Sequence, residues 1–195
     1  MPTRRAAEAQ RLTKETRTRA SILIDGNGEQ TMDTPCKVLN HLLSSTAKFS
    51  SFDIKVRARN LVEADEHHLV EDVAICLGQA FDEALGNRVG IARFGYSVTP
   101  MDECLVLTSV DLSGRGGCYQ KVKFRSTRIG DLSTSLIPHF FRSFASNGRL
   151  TLHLGILRGG DDHHVAEALF KSLGLSIGAA SRITRGDLPS TKGRL

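Results

Sequence analysis

Apolar residues recur along the chain with two different periods, and these separate two kinds of element. Val70, Val73, Leu77, Ala80, Phe81 and Ala84 fall at three- and four-residue intervals, as do Ala166, Leu169, Phe170, Leu173 and Ile177. That spacing predicts two long helices, each with one buried face. Asp65 and Glu66 precede the first and Asp161 and Asp162 the second, where acidic groups complement a helix N-terminus. Residues 37–47 and 135–145 also read as helical. Phe52, Ile54, Val56 and Ala58 alternate with charged or polar neighbours, the two-residue period of a half-buried strand. Residues 21–24, 105–110, 121–124 and 150–156 read as further strands. Strands and a short helix thus precede a long helix twice over. The expected fold is α/β, an α+β two-layer arrangement made by tandem duplication, each half a small sheet with helices packed on one face. The break falls near 87–95. The expected organisation is a flexible basic tail over 1–10, a first repeat over 11–90, a second over 91–182 and a closing segment over 183–195.

Composition narrows the class. With 195 residues, 40% of them hydrophobic and 24% charged, the chain can bury a substantial core and is not generally disordered. Four cysteines without a CxxC pair argue against a disulfide scaffold. No run of 18 apolar residues and no N-terminal apolar stretch are present, so neither a membrane span nor a secretory signal is expected. The default location is the cytoplasm, and the Arg-rich start leaves an organellar presequence remnant open. The net charge of +5 comes from the two ends: Arg4, Arg5, Arg11, Lys14, Arg17 and Arg19 at one, Arg182, Arg185, Lys192 and Arg194 at the other. No groove-like basic stripe interleaved with aromatics accompanies them, so no nucleic-acid partner is expected. A small anion gripped by a terminal segment accounts for the ends equally well.

The histidines carry the chemistry. Four of the seven form two pairs with one pattern, His67-His68-Leu69-Val70-Glu71 and His163-His164-Val165-Ala166-Glu167, 96 residues apart. A lone histidine precedes each pair, His41 by 26 residues and His139 by 24. On a helix, residues three or four apart share a face. Glu71 can therefore join His67 or His68, and Glu167 can join His163 or His164. Adjacent histidines diverge by roughly 100° about the axis, so each pair is expected to serve two different ions. His41, His67, His68, Glu71, His139, His163, His164 and Glu167 are the candidate ligands, three His and one Glu per ion. Imidazole and carboxylate without thiolate suit Mn, Fe, Co, Ni or Zn rather than Ca. His153 and the cysteines read as structural.

The chain resembles the imidazoleglycerol-phosphate dehydratase family. The resemblance rests on Arg11-x-Thr13-x-Glu15-Thr16, Glu66-His67-His68-Leu69-Val70-Glu71-Asp72, Gly90-Ile91-Ala92-Arg93-Phe94-Gly95, Pro100-Met101-Asp102-Glu103 and Asp111-Leu112-Ser113-Gly114-Arg115. It continues through His139-Phe140-Phe141, Asp162-His163-His164-x-x-Glu167-Ala168-x-Phe170-Lys171 and Leu188-Pro189-Ser190-Thr191-Lys192-Gly193. It implies a hydro-lyase of histidine biosynthesis that converts D-erythro-imidazoleglycerol phosphate to imidazole-acetol phosphate. It also implies two divalent ions per active site, Mn2+ in this family, held at the eight positions above. A homo-oligomer of 24 subunits with active sites shared between subunits follows from the same likeness.

The chemistry needs an electron sink for a weakly acidic C–H. Metal bound to the imidazole favours an imidazolate, which expels the neighbouring hydroxyl to give a diazafulvene-like intermediate. A positioned carboxylate moves the protons. The resemblance favours Glu15, with Glu71 and Glu167 as rivals. Arg93, Arg115, Ser190, Thr191 and Lys192, with Glu15, match the family's substrate-binding positions; Arg suits the phosphate by its planar fork. Asn40 stands where the family usually has Asp, and Phe49 where it usually has a further His. The alternatives are a two-metal hydrolase or phosphatase acting on a small phosphorylated metabolite, and a metal-stabilised inactive homologue.

Overall fold

The computed structural model describes residues 4–62, 66–184, 186–191 and 193. Two sheets of one topology are built in succession. The first uses β1 (Ala6–Leu12), β2 (Thr16–Leu23), β3 (Gln30–Asp33) and β4 (Asp53–Asn60), in the order β1-β2-β4-β3. Its helices are α1 (Lys37–Ser50) and α2 (Glu66–Leu85). The second uses β5 (Phe94–Met101), β6 (Cys104–Asp111), β7 (Gly117–Lys121) and β10 (Thr151–Arg158), in the order β5-β6-β10-β7. Its helices are α3 (Leu136–Asn147) and α4 (Asp162–Ser181). In both halves the last strand pairs antiparallel with the second and parallel with the third. A small hairpin, β8 (Arg128–Ile129) and β9 (Leu132–Ser133), is added in the second half.

Alternation explains the layers. In β2, Thr16, Thr18, Ala20 and Ile22 are buried while Arg17 and Arg19 are exposed. In β4, Ile54, Val56 and Ala58 are buried between exposed Lys55, Arg57 and Arg59. The inward residues meet α2, and those of the second sheet meet α4. The helices then pack on each other crosswise, α1 against α4 and α2 against α3, so the sheets lie outermost. One continuous core results, with Phe81, Phe140, Phe141 and Phe170 at most 2% exposed. Burying one such ring contributes about 1.5–3 kcal/mol.

Several elements differ from the sequence expectation. Of the tail expected over 1–10, the described part is structured: β1 begins at Ala6, its Ala7 and Ala9 pack against the core, and Arg5 donates to Asp25 Oδ2 at 2.9 Å and to the Ser181 carbonyl at 2.6 Å. Residues 1–3 lie outside the described residues. The strand expected at 121–124 lies earlier, at Gly117–Lys121; Val122 and Phe124 pack on the core without strand pairing. β5 has an inverted pattern, with Gly95, Ser97 and Thr99 inward and Phe94, Tyr96 and Val98 outward. Gly95 is required there: a Cβ would lie 2.0 Å from the Ser176 carbonyl of α4.

The closing segment returns along the linker between the halves. Thr184 N donates to the Gly90 carbonyl at 2.8 Å, and Gly90 N donates to the Asp187 carbonyl at 2.9 Å.

Candidate metal centre and active site

The crosswise helix pairing builds two clusters of side chains. α1 and α4 run side by side in the same direction. His41 meets His163 and Glu167 at their N-terminal ends, and Thr46 Oγ1 donates to the Phe170 carbonyl at 3.1 Å further along. The approach is close because Gly174 faces α1, where a Cβ would lie 2.7 Å from the Thr46 carbonyl. α2 and α3 repeat the arrangement. His139 meets His67 and Glu71, and a Cβ on Gly78 would lie 2.7 Å from the Phe144 carbonyl. Each glycine stands seven residues after the glutamate of its helix. The lone histidine of each half therefore joins the paired histidines of the other half.

The segment around the β8–β9 hairpin gathers the helix starts. Asp131 accepts from Lys37 N at 2.7 Å and Val38 N at 3.0 Å, capping α1, whose own N-cap residue Cys36 offers no side-chain cap. Glu66 at the start of α2 accepts from Arg128 Nη1 at 2.9 Å and Ser133 N at 3.1 Å. Asp162 at the start of α4 accepts from Arg125 N at 3.0 Å and Ser126 N at 2.6 Å. Both clusters consequently sit at one end of the four-helix layer. Asp65, the other acid expected at the start of α2, lies outside the described residues.

In the first cluster His41 Nε2 is 3.2 Å, and His163 Nε2 3.6 Å, from Glu167 Oε2, while Lys171 Nζ pairs with Oε1 at 2.8 Å. Burial alone would raise the Glu167 carboxyl, but Lys171 and His41 outweigh it and hold it below its ordinary value. In the second cluster His139 Nε2 is 3.3 Å from Glu71 Oε1. That contact has ion-pair distance but not hydrogen-bond alignment, and the nitrogen is buried without a hydrogen-bond partner. A buried, unpartnered imidazole nitrogen facing a carboxylate is the donor set expected where a cation sits between them. Two imidazoles and one carboxylate in each cluster, with no thiolate, fit a divalent transition metal.

The remaining two histidines turn elsewhere. His68 Nδ1 lies 2.6 Å from Glu15 Oε2, in the turn between β1 and β2. His164 Nδ1 lies 3.1 Å from Glu103 Oε2, in the equivalent turn between β5 and β6, and its Nε2 is 3.6 Å from Asp102 Oδ2. A hydrogen bond from the Asp161 N–H is the largest of the effects that hold the Glu103 carboxyl down at about 2; the bond to Glu103 raises the His164 pKa. Six of the eight candidate ligands thus form the two clusters, and His68 and His164 flank them.

The residues matched to phosphate binding lie apart. Arg93 donates from Nε to Asp111 Oδ1 at 2.7 Å and from Nη1 to the Pro189 carbonyl at 2.8 Å, next to Ser190 and Thr191. Leu112 N donates to the Arg93 carbonyl at 3.0 Å, which brings the Ser113–Gly114–Arg115 loop alongside. Lys192 lies outside the described residues. Arg93 N, however, donates to the Ala180 carbonyl, at the C-terminal end of α4. At 1.5 Å per residue that end is roughly 25 Å from His163, far more than a small phosphorylated substrate spans.

Comparison with known proteins then decides the family. The family model for imidazoleglycerol-phosphate dehydratase matches residues 34–177. The chain belongs to that family. An imidazoleglycerol-phosphate dehydratase from Desulforudis audaxviator is 49% identical over 191 residues, covering 97% of each chain. One from Chloroflexus aurantiacus is 46% identical over 194 residues, covering 98% of this chain and 95% of the relative. Among solved structures, imidazoleglycerol-phosphate dehydratase from Staphylococcus aureus superposes with a TM-score of 0.81 at 31% identity, covering 92% of this chain and 98% of that one. The Pyrococcus furiosus enzyme in complex with (S)-C348 gives 0.83 at 33% identity, covering 96% and 100%.

Against the dehydratase motifs, the two departures have local explanations. Asn40 turns to Thr34, accepting from its Oγ1 at 2.8 Å and donating to its carbonyl at 3.0 Å. The Phe49 ring packs 5.6 Å from Lys171 Nζ. Asp72 and Glu103 stand in the motifs that carry the resemblance, but sequence reasoning gave them no role in the site. Asp72 is buried, accepting from Arg11 Nε at 2.6 Å and from the Thr16 hydroxyl, so it fastens the Glu15 turn to α2. A charged residue among the buried positions of α2 was its visible signal.

Proposed function

We propose that this chain removes water from D-erythro-imidazoleglycerol phosphate to give imidazole-acetol phosphate, using two divalent ions, Mn2+ in this reading. The observation that carries it is the crosswise pair of His2Glu clusters in a member of this family. His41, His163 and Glu167 would hold one ion, and His67, His139 and Glu71 the other, with His68 and His164 completing the coordination. Bound there, the ions would supply Lewis acidity to the substrate's imidazole ring and fix its orientation. Glu15, held beside His68 on the rim, moves the protons at the reacting carbons. Arg93 also donates from Nη2 to Asp111 Oδ2 at 3.1 Å, which among the described residues leaves two of its five N–H donors unused. With Arg115, Ser190, Thr191 and Lys192, it receives the phosphate as the segment over 183–195 closes.

The wide separation of the two residue sets along α4 supports a site completed between subunits. His68 and His164, at the edges of their clusters, agree with ligation from a neighbouring chain. The outward Phe94, Tyr96 and Val98 of β5 give the second sheet an apolar surface suited to self-association. We infer a homo-oligomer, 24 subunits by family likeness, working in the cytoplasm; none of the described helices is long and apolar enough to cross a membrane.

Turnover of imidazoleglycerol phosphate by the Mn2+-loaded protein tests the reading. Keto product without phosphate release is the expected result. Free phosphate would replace dehydration with hydrolysis, and normal assembly without either product would leave only a scaffold.

A further inference from the structure

We infer that Glu103 is a positioning residue that presents His164 to a metal ion, and that it does so because it is immobilised where Glu15 is not. The inference rests on the reading of His164 as a metal ligand. His68 and His164 are the second members of their pairs, and each Nδ1 faces a glutamate in the first hairpin turn of its own half. An imidazole donating Nδ1–H to a carboxylate is fixed in one tautomer and one ring orientation, and its Nε2 becomes a better donor to a metal. At His164 that nitrogen is left on the Asp102 side, 3.6 Å from Oδ2, too far for a hydrogen bond.

The two glutamates differ in how they are held. Among the described residues the Glu15 carboxylate meets only His68. The Glu103 carboxylate meets three further groups or surfaces. Its Oε1 accepts from Asp161 N at 2.6 Å, at the N-cap of α4, and from Cys104 Sγ at 3.5 Å. Gly160 lies against the same oxygen, where a Cβ would stand 2.1 Å away. One oxygen thus ties the turn to Asp161 at the N-cap of α4, and the other holds the ring three residues further along. The carboxylate fixes both the backbone that carries His164 and the ring itself. A carboxylate bound this way orients; it has no freedom to carry a proton between substrate atoms.

The test measures Mn2+ binding alone, by calorimetry on the metal-stripped full-length protein, alongside kcat and KM. Glu103→Gln leaves one carbonyl oxygen for donors that now use two, and should weaken Mn2+ binding about 10–100-fold, with kcat falling at sub-saturating metal and recovering at high Mn2+. Gly160→Ala, which displaces the carboxylate without removing it, should weaken Mn2+ binding in the same direction. It also decides the matter if Glu103→Gln does not fold. His164→Ala separates the two layers of the argument. If His164→Ala weakens Mn2+ binding while Glu103→Gln and Gly160→Ala bind as wild type, Glu103 does not position the ring. If His164→Ala itself binds Mn2+ as wild type, the assignment of His164 as a ligand fails, and the positioning inference falls with it.

Discussion

The turns at the head of each half occupy equivalent places and are fastened in opposite ways. In the first half the pin lies beneath the turn. Buried Asp72 takes the Thr16 hydroxyl and Arg11, while Thr13 Oγ1 accepts from Glu15 N at 3.1 Å and Thr16 N at 2.9 Å. These bonds fasten the backbone, and the Glu15 side chain extends from the tip to His68. In the second half the residue equivalent to Asp72 is Ala168, fully buried, with no carboxylate to offer the turn. There the turn is fastened by the tip carboxylate itself, Glu103 to Asp161 N. The two halves share a backbone plan but not a pin, so one carboxylate is held at the tip by His68 and its counterpart by His164, Asp161 N and Cys104.

The sharpest way to break this comparison is at Glu15. Glu15→Gln should lower kcat about 10²–10⁴-fold even at saturating Mn2+, whereas the loss on substitution of its counterpart should recover at high metal. A Glu15→Gln enzyme within severalfold of wild type would remove the asymmetry of roles. Next come the glycines that bring each helix pair together. Gly78→Ala and Gly174→Ala should each cost about 1–3 kcal/mol in stability, because the added methyl meets backbone rather than a flexible side chain. Equal losses in thermal unfolding would show the two pairs to be equivalent; tolerance of one alanine would show that its cluster does not need the close approach. Asp72→Ala leaves the buried Thr16 hydroxyl without its acceptor, at about 1–3 kcal/mol. It should also raise KM more than it changes metal content, and an unchanged KM would show that the Glu15 turn holds its place without the pin.

The four helices and the strands β4, β6 and β10 were legible because their buried faces are apolar at the right period; β2 was legible only from Ser21 on, since its first inward residues are Thr16 and Thr18. β5 was not, since its inward residues are small or polar and its apolar ones point outward. The inward Ser97 and Thr99 are compatible with the core because their hydroxyls bond each other, and Ser172 of α4 donates to the Ser97 carbonyl at 3.3 Å. β1 was obscured by the basic residues around its two inward alanines. The ligand set could be named from sequence, but its partition could not. Periodicity is local, and the crossing of His41 to α4 and His139 to α2 depends on how distant helices pack. Gly78 and Gly174, at one spacing after Glu71 and Glu167, were the available signal for that packing. The hairpin that caps the helix starts has almost no apolar pattern, because its work is done by backbone N–H groups and by Glu66, Asp131 and Asp162.

Asp131 gives the smallest and most local test of how the halves are joined. It belongs to the second half yet supplies the acceptor for two N–H groups of α1 in the first. Burial would raise its carboxyl, but the Val38 and Lys37 N–H groups outweigh that and hold it below the ordinary 3.8. The folded state therefore binds this proton less readily than the unfolded chain. The contribution is complete above the unfolded value and is lost as pH falls through the lower folded one. Asp131→Ala should cost about 1 kcal/mol at neutral pH, as for a lost helix cap. The gap between wild type and variant should close as the pH is lowered below the ordinary carboxylate range, followed by denaturant unfolding at each pH. A gap that stayed constant into acid would mean that the carboxylate is not what caps α1, and the joint between the halves would then rest on helix packing and on bonds such as those of Glu66 to Arg128 and Ser133.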